Sequence, residues 1–109
     1  MAVLTVTDTT FANIVEKAKI PVIVEFTAVW SEDNKLLRPN IEEVSEQIRD
    51  VANQVKFASI DIDANPVTTN KYNVRGVPLL TIFENGELIV RRNDIPTVAQ
   101  LNKWINDNT

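Results

Sequence analysis

The fold class this sequence predicts is α/β, with a mixed sheet of about five strands flanked by about four helices in the order β-α-β-α-β-α-β-β-α. Three observations predict it. Short β-branched runs alternate along the chain with segments whose apolar residues recur at three-and-four spacing. The run Val22-Ile23-Val24-Glu25-Phe26 is almost wholly apolar, which suits a central strand covered on both faces. Asn85-Gly86 separates two strand-like runs, and it is the strongest short-range hairpin signal because both residues tolerate positive φ. With 109 residues there is room for one domain, spanning 1–109.

Each element follows in turn. Val3-Leu4-Thr5-Val6 reads as a first strand, and Asp8 or Thr9 offers an N-cap for a helix that turns Phe11, Ile14, Val15 and Ala18 inward. Pro21 restarts the chain into the 22–26 strand. A long helical pattern then runs from Ser31 to about Val51, with Ile41, Val44, Ile48 and Val51 inside and Glu42, Glu43, Glu46 and Arg49 outside. Pro39 removes an amide donor within it, so a kink is expected there. Val55 to Asp61 is the next strand. After Asn65-Pro66, with Pro66 in a first-turn position, a short helix runs to about Tyr72. Strands at Leu79–Phe83 and Leu88–Val90 flank Glu84-Asn85-Gly86-Glu87. The last helix opens on Thr97-Val98-Ala99-Gln100, a capping-box pattern, and buries Val98, Leu101, Trp104 and Ile105.

Composition excludes most chemistry. The chain has no cysteine and no histidine, so thiol nucleophiles, disulfides, ordinary zinc, haem and copper sites and Ser-His-Asp triads are all absent. A net charge of −4 opposes nonspecific binding to nucleic acid or anionic membrane. Nothing approaches the length of a membrane-spanning helix or the pattern of a signal peptide, so a cytoplasmic location is expected. The remaining acid–base groups are carboxylates, lysines and Tyr72. Asp61-Ile62-Asp63-Ala64-Asn65 has the alternating oxygens of half a calcium loop, but Pro66 stands where the glycine belongs and Tyr72 where the bidentate glutamate would be. No metal and no cofactor is expected.

The residues also carry a family resemblance. Phe26-Thr27-Ala28-Val29-Trp30 followed by Ser31-Glu32-Asp33-Asn34-Lys35 lies where a thioredoxin has its Trp-Cys-Gly-Pro-Cys-Lys site. Pro39 falls at the helix-kinking proline, and Asp61-Ile62-Asp63-Ala64-Asn65-Pro66 at the Asp-x-Asn-Pro stretch. Tyr72-Asn73-Val74-Arg75-Gly76-Val77-Pro78 is similar to the segment whose proline is cis, and Phe83-Glu84-Asn85-Gly86-Glu87 to the Phe-x-Asn-Gly-Glu hairpin. Over nearly its whole length the chain resembles the thioredoxin family. The resemblance implies a thioredoxin fold and a cis Val77–Pro78 bond.

The departures decide the activity. Ser31 and Asn34 hold the two cysteine positions, with Glu32 and Asp33 between them. The resemblance places Glu25 at the buried family aspartate, Ser59 at its lysine neighbour, Leu79 after the cis proline and Asp94 at a glycine beside the substrate groove. A serine hydroxyl cannot attack a disulfide at neutral pH, so thiol–disulfide oxidoreductase activity is excluded and no catalytic residue is assigned.

Each site feature has a plain structural reading beside a functional one. Ser31 to Asn34 can be a helix cap with two carboxylates on the positive end of the dipole, or an acidic edge that selects partners carrying Lys or Arg. Glu25 reads better as an inherited core carboxyl, neutral or bonded to Ser59 or water, than as a general base. Arg91-Arg92 reads as protection of an edge strand. Trp30 can pack on the 61–65 loop or serve as a binding hot spot. The preferred function is a redox-inactive protein that binds a protein or peptide client through Trp30, Ser31, Gly76, Val77, Pro78, Asn93 and Asp94, as a monomer or weak homodimer. The alternatives are a structural or oligomerisation module of the same fold, an enzyme using Glu25 or Asp33, and a thioredoxin whose active site has been lost by alteration.

Overall fold

A computed structural model describes residues 3–48 and 54–109. Arg49 and Val51, placed above in the long helix, lie outside the described residues, as does the side chain of Ile48. The elements are strand β1 (Val3–Thr5), a π-helical turn (Ala12–Glu16), β2 (Val22–Thr27), helix α1 (Glu32–Ile48), β3 (Lys56–Asp61), α2 (Pro66–Lys71), β4 (Leu79–Glu84), β5 (Glu87–Arg92) and α3 (Val98–Asn108). This is the expected order.

The five strands form one mixed sheet, β1-β3-β2-β4-β5. β3 lies parallel to β1 and β2, whereas β4 is antiparallel to β2 and β5. Side chains alternate across β2. Ile23 enters a core with Leu37, Ile41 and Val44 of α1 and Leu101 and Ile105 of α3. Val22, Val24 and Phe26 enter the opposite core with Phe11, Val15, Ala58, Ile60 and Phe83. Burying each large apolar side chain is worth about 1.5–3 kcal/mol, so both faces must be covered for such a strand to persist. Among the described residues, no helix is long and apolar enough to cross a membrane.

Local signals hold where the chain is left to itself. Asn85 and Gly86 both have positive φ, at 53° and 82°, and make a two-residue turn. Thr97 and Gln100 form the reciprocal capping box, at 3.2 Å and 2.9 Å. Pro66 starts α2, and α1 runs unbroken through Pro39. β4 and β5 extend further than expected because Glu84 pairs with Glu87, and Arg91 and Arg92 continue the ladder. An edge strand tolerates polar residues on its open side.

Two expectations are corrected. Asp8 does not cap the helix that follows it, which is instead a π-helical turn with Phe11 at its N-cap and no side-chain cap bond. The Lys17 amide bonds the Ala12 carbonyl at 2.9 Å, the wide spacing of that geometry. The Asp8 carboxylate accepts instead from the Thr68 and Val67 amides, at 2.8 and 3.1 Å, so it caps α2. Trp104 and Val98 are half-buried rather than buried, because α3 reaches the sheet margin, where the Arg92 guanidinium lies 5.3 Å from the Trp104 ring centre.

Candidate functional site

The topology gathers four segments at one end of the sheet. β3 and β2 both end there, at Asp61 and Thr27, and the antiparallel β4 begins there at Leu79, paired with Phe26. β5 ends there at Arg92, paired with Leu80. Across that end, in strand order, stand the 61–65 loop, the Trp30–Ser31 turn, the 76–78 segment and the Asn93–Asp94 turn.

At the start of α1 the capping reading of Ser31 is realised. Its Oγ accepts from the Asn34 amide at 3.2 Å, and its carbonyl accepts the first α-helical bond from Lys35 at 3.4 Å. Glu32 pairs with Lys35 at 3.0 Å on the open face. Both carboxylates of the first turn, Glu32 and Asp33, are exposed at the positive end of the helix dipole.

Beneath that cap lies a buried polar cluster. Glu25 follows Ile23 on the α1 side of β2 and is only 1% exposed. Its Oε2 accepts from the Asn34 side-chain amide at 2.8 Å, and its Oε1 from Arg38 Nη1 at 3.1 Å. The expected bonding partner, Ser59 or water, is therefore corrected to Asn34 and Arg38. Ser59 is its Cα partner across the ladder, but the carboxyl reaches the helix. Burial pushes the Glu25 carboxyl above the ordinary carboxylate range; the Asn34 and Arg38 bonds pull it part of the way back, and Glu42 adds a smaller upward push. Asn34 also donates to the Phe26 carbonyl at 3.3 Å, while its own Oδ1 is buried with no hydrogen bond.

Trp30 is 64% exposed, beside Val29 at 80%. Its indole N–H donates to Asp63 Oδ2 at 2.7 Å, and Asp61 Oδ1 accepts from the Asp63 amide at 2.8 Å, which holds the loop that carries the acceptor. The indole is thus anchored through its polar edge while its apolar surface stays open. The packing reading of Trp30 is met by this bond to the 61–65 loop, while the ring itself stays uncovered.

The Val77–Pro78 bond is cis, as the resemblance implied. Beside it opens a groove of about 510 Å³ lined by the segment 73 and 75–79 and by Arg91, Arg92 and Asn93. Of the residues picked out in the sequence, the groove brings together Gly76, Val77, Pro78 and Asn93; Trp30, Ser31 and Asp94 are not among its lining. Arg92 clasps Asp94 with two bonds of 2.7 Å, and that guanidinium holds the Asp94 carboxyl below its ordinary range. Sequence reasoning missed Arg38 and Arg75 as site residues and read Arg91 and Arg92 only as edge protection. The signal for Arg38 was present: it lies one turn beyond Asn34, on the helix face that meets an unpartnered Glu25.

Comparison with known proteins agrees with this architecture. The family model described as thioredoxin matches residues 2–107. The chain is 37% identical to a thioredoxin of Rickettsia bellii over 103 residues, covering 94% of this chain and 95% of that one. It is 39% identical to a thioredoxin of Rickettsia typhi, covering 93% of each. With a thioredoxin of Acidithiobacillus ferridurans it shares 34%, covering 95% of this chain and 94% of the other. The sheet and helices are those of the thioredoxin fold. No cysteine occurs in the 109 residues, so the dithiol cannot be present and the chain is not a thiol–disulfide oxidoreductase.

Proposed function

This chain belongs to the thioredoxin family, and from that premise we propose that it binds polypeptide without covalent chemistry, as an adaptor or chaperone-type clamp. Trp30 supports the reading most. An indole 64% exposed and yet held by Asp63 is preorganised at the same sheet end as the groove beside Val77–Pro78. Trp is enriched among binding hot spots, and a fixed indole loses little freedom when it is covered. The Val77 main chain beside the groove suits pairing with an extended client, in which backbone bonds supply affinity. A protein or peptide client, a cytoplasmic location and a monomeric or weakly dimeric state belong to the same proposal. With no covalent intermediate, affinity is expected in the micromolar range, about −8 kcal/mol.

An affinity capture from one lysate, with the wild-type chain and Trp30→Ala side by side, tests it. Clients retained by the wild type and lost by the variant support the clamp. A partner set unchanged by Trp30→Ala removes it. A stoichiometric homodimer that the variant abolishes points instead to a structural module.

A further inference from the structure

We propose that the groove beside the cis Val77–Pro78 bond takes an extended polypeptide segment bearing carboxylate side chains, which Arg75 and Arg91 receive. The inference rests on the clamp reading above and names the chemical class of its client. The chain carries 15 acidic against 11 basic residues, yet three of its five arginines line this one groove and no carboxylate does. The three arginines are not equivalent. Arg92 is neutralised by Asp94. Arg91 Nη2 donates to the Tyr72 carbonyl at 3.0 Å, which orients the guanidinium without compensating its charge. Arg75 is exposed and has no ion-pair or hydrogen-bond partner among the described residues. Two guanidiniums therefore face the groove with charge to spare, and a planar fork matches a carboxylate in two bonds.

The surroundings favour a peptide over a small anion. Beside the arginines the groove wall is Val77-Pro78-Leu79, with Pro78 and Leu79 buried and Val77 half-buried, so it offers main chain and one apolar side chain along which an extended segment, rather than a bare anion, can lie. A volume of about 510 Å³ is also several times what a single small anion fills. Across the sheet end the charge reverses. Asp61 and Asp63 sit beside Trp30, and Glu32 and Asp33 open α1. Carboxylate side chains are repelled from that side and drawn to the β5 side, so the segment sets them over the arginines while an uncharged part of it reaches Trp30. Strand protection, the plain reading of Arg91-Arg92, does not explain why Arg75 from another segment joins them.

The test uses the full chain and three fluorescein-labelled peptides in which valine alternates with glutamate, glutamine or lysine, followed by fluorescence anisotropy. The glutamate probe is expected to bind about tenfold more tightly than the glutamine probe, with the lysine probe weaker still, and added salt to erode the preference. Arg75→Gln should weaken the glutamate probe about five- to tenfold and leave the glutamine probe unchanged, while Arg75→Lys recovers part of the loss. Arg75 has no partner to lose, so the variant keeps the fold, which circular dichroism checks. Equal binding of glutamate and glutamine probes, or an equal effect of Arg75→Gln on both, overturns the charge inference and leaves the clamp standing. No binding by any probe, with Trp30 emission unmoved, overturns both. Inorganic phosphate that binds more tightly than the glutamate probe overturns it too, because the arginines then serve a small anion.

Discussion

The side-chain amide of Asn34 donates to the Glu25 carboxylate at 2.8 Å, with both residues almost wholly buried. In the family resemblance these positions hold the second thiol and the carboxyl that exchanges protons with it. Here the same two positions have become a structural bond between α1 and β2. Arg38 closes the cluster from the next helical turn at 3.1 Å. A buried hydrogen-bonded cluster thus occupies these positions, and removing any one member strands the others.

Glu25→Gln should reveal the carboxyl's raised pKa as a pH-dependent stability difference. Below the unfolded value of about 4.3 the acid is neutral in both states and adds no pH dependence. As pH rises from there toward the elevated folded value, the unfolded chain ionises first and wild-type stability falls. Glutamine has no such slope. Urea unfolding near pH 4 and pH 8 should therefore show the variant gaining on the wild type at the higher pH. A difference independent of pH contradicts the upward shift.

Arg38→Met acts in the opposite sense on the same carboxyl. It removes the cation and leaves Glu25 with Asn34 alone, so the folded acid holds its proton to still higher pH. The loss should be small near pH 4. Near pH 8 it should reach about 2 kcal/mol, the usual worth of a hydrogen bond to a charged group. Equal losses at both pH values would mean that Arg38 serves mainly by packing its stem.

Wild-type chain should reduce insulin disulfides no faster than dithiothreitol alone, since Met1 is the only sulfur. Ser31→Cys with Asn34→Cys should regain an oxidisable pair at the start of α1. The dipole there favours thiolate, but Glu32 and Asp33 oppose it, so reductase activity stays weak. The double variant should also lose about 1–3 kcal/mol, because Glu25 forfeits its Asn34 bond. Thiol titration before and after oxidation reads the pair. An intermolecular product alone shows that the two positions do not face each other.

Gly86→Ala is a stability test far from the groove. The residue sits at φ 82°, and an added Cβ would come within 2.9 Å of the Glu16 carbonyl oxygen. Strain of this kind costs about 1–3 kcal/mol. Peptide binding should be unaffected once the variant is folded.

These residues divide by the range of the forces that place them. Asn85-Gly86 and Thr97–Gln100 were readable because each signal closes within a few residues. Asp8 was misread because its partners, Val67 and Thr68, lie about sixty positions away, and these tertiary amide donors outcompeted the local ones for its carboxylate. Glu25 could be marked as a group in need of a partner, and Arg38 stands at helical spacing from Asn34, but the packing of α1 on β2 is what brings both to it. The arginine groove was invisible for the same reason: Arg75 and Arg91 converge through the β4–β5 pairing, which no local pattern encodes.

Asp63→Ala should separate the anchoring of Trp30 from its exposure. The indole N–H loses its 2.7 Å acceptor while the ring stays at the surface. An unanchored indole samples more rotamers, so its fluorescence anisotropy should decay faster and covering it should cost more entropy. Client affinity should fall a few-fold, whereas Trp30→Ala should cost more than 1–2 kcal/mol if the ring is a hot spot. Asp63→Asn retains an acceptor oxygen and should behave nearly as wild type. Trp104, half-buried against Arg92 and the α3 core, provides the internal reference. In a Trp30→Phe background its emission should respond only weakly to client, because it meets the groove through Arg92 alone. A full response there would place the client over α3 instead, and Asp63→Ala binding as tightly as wild type would show that the indole needs no anchor.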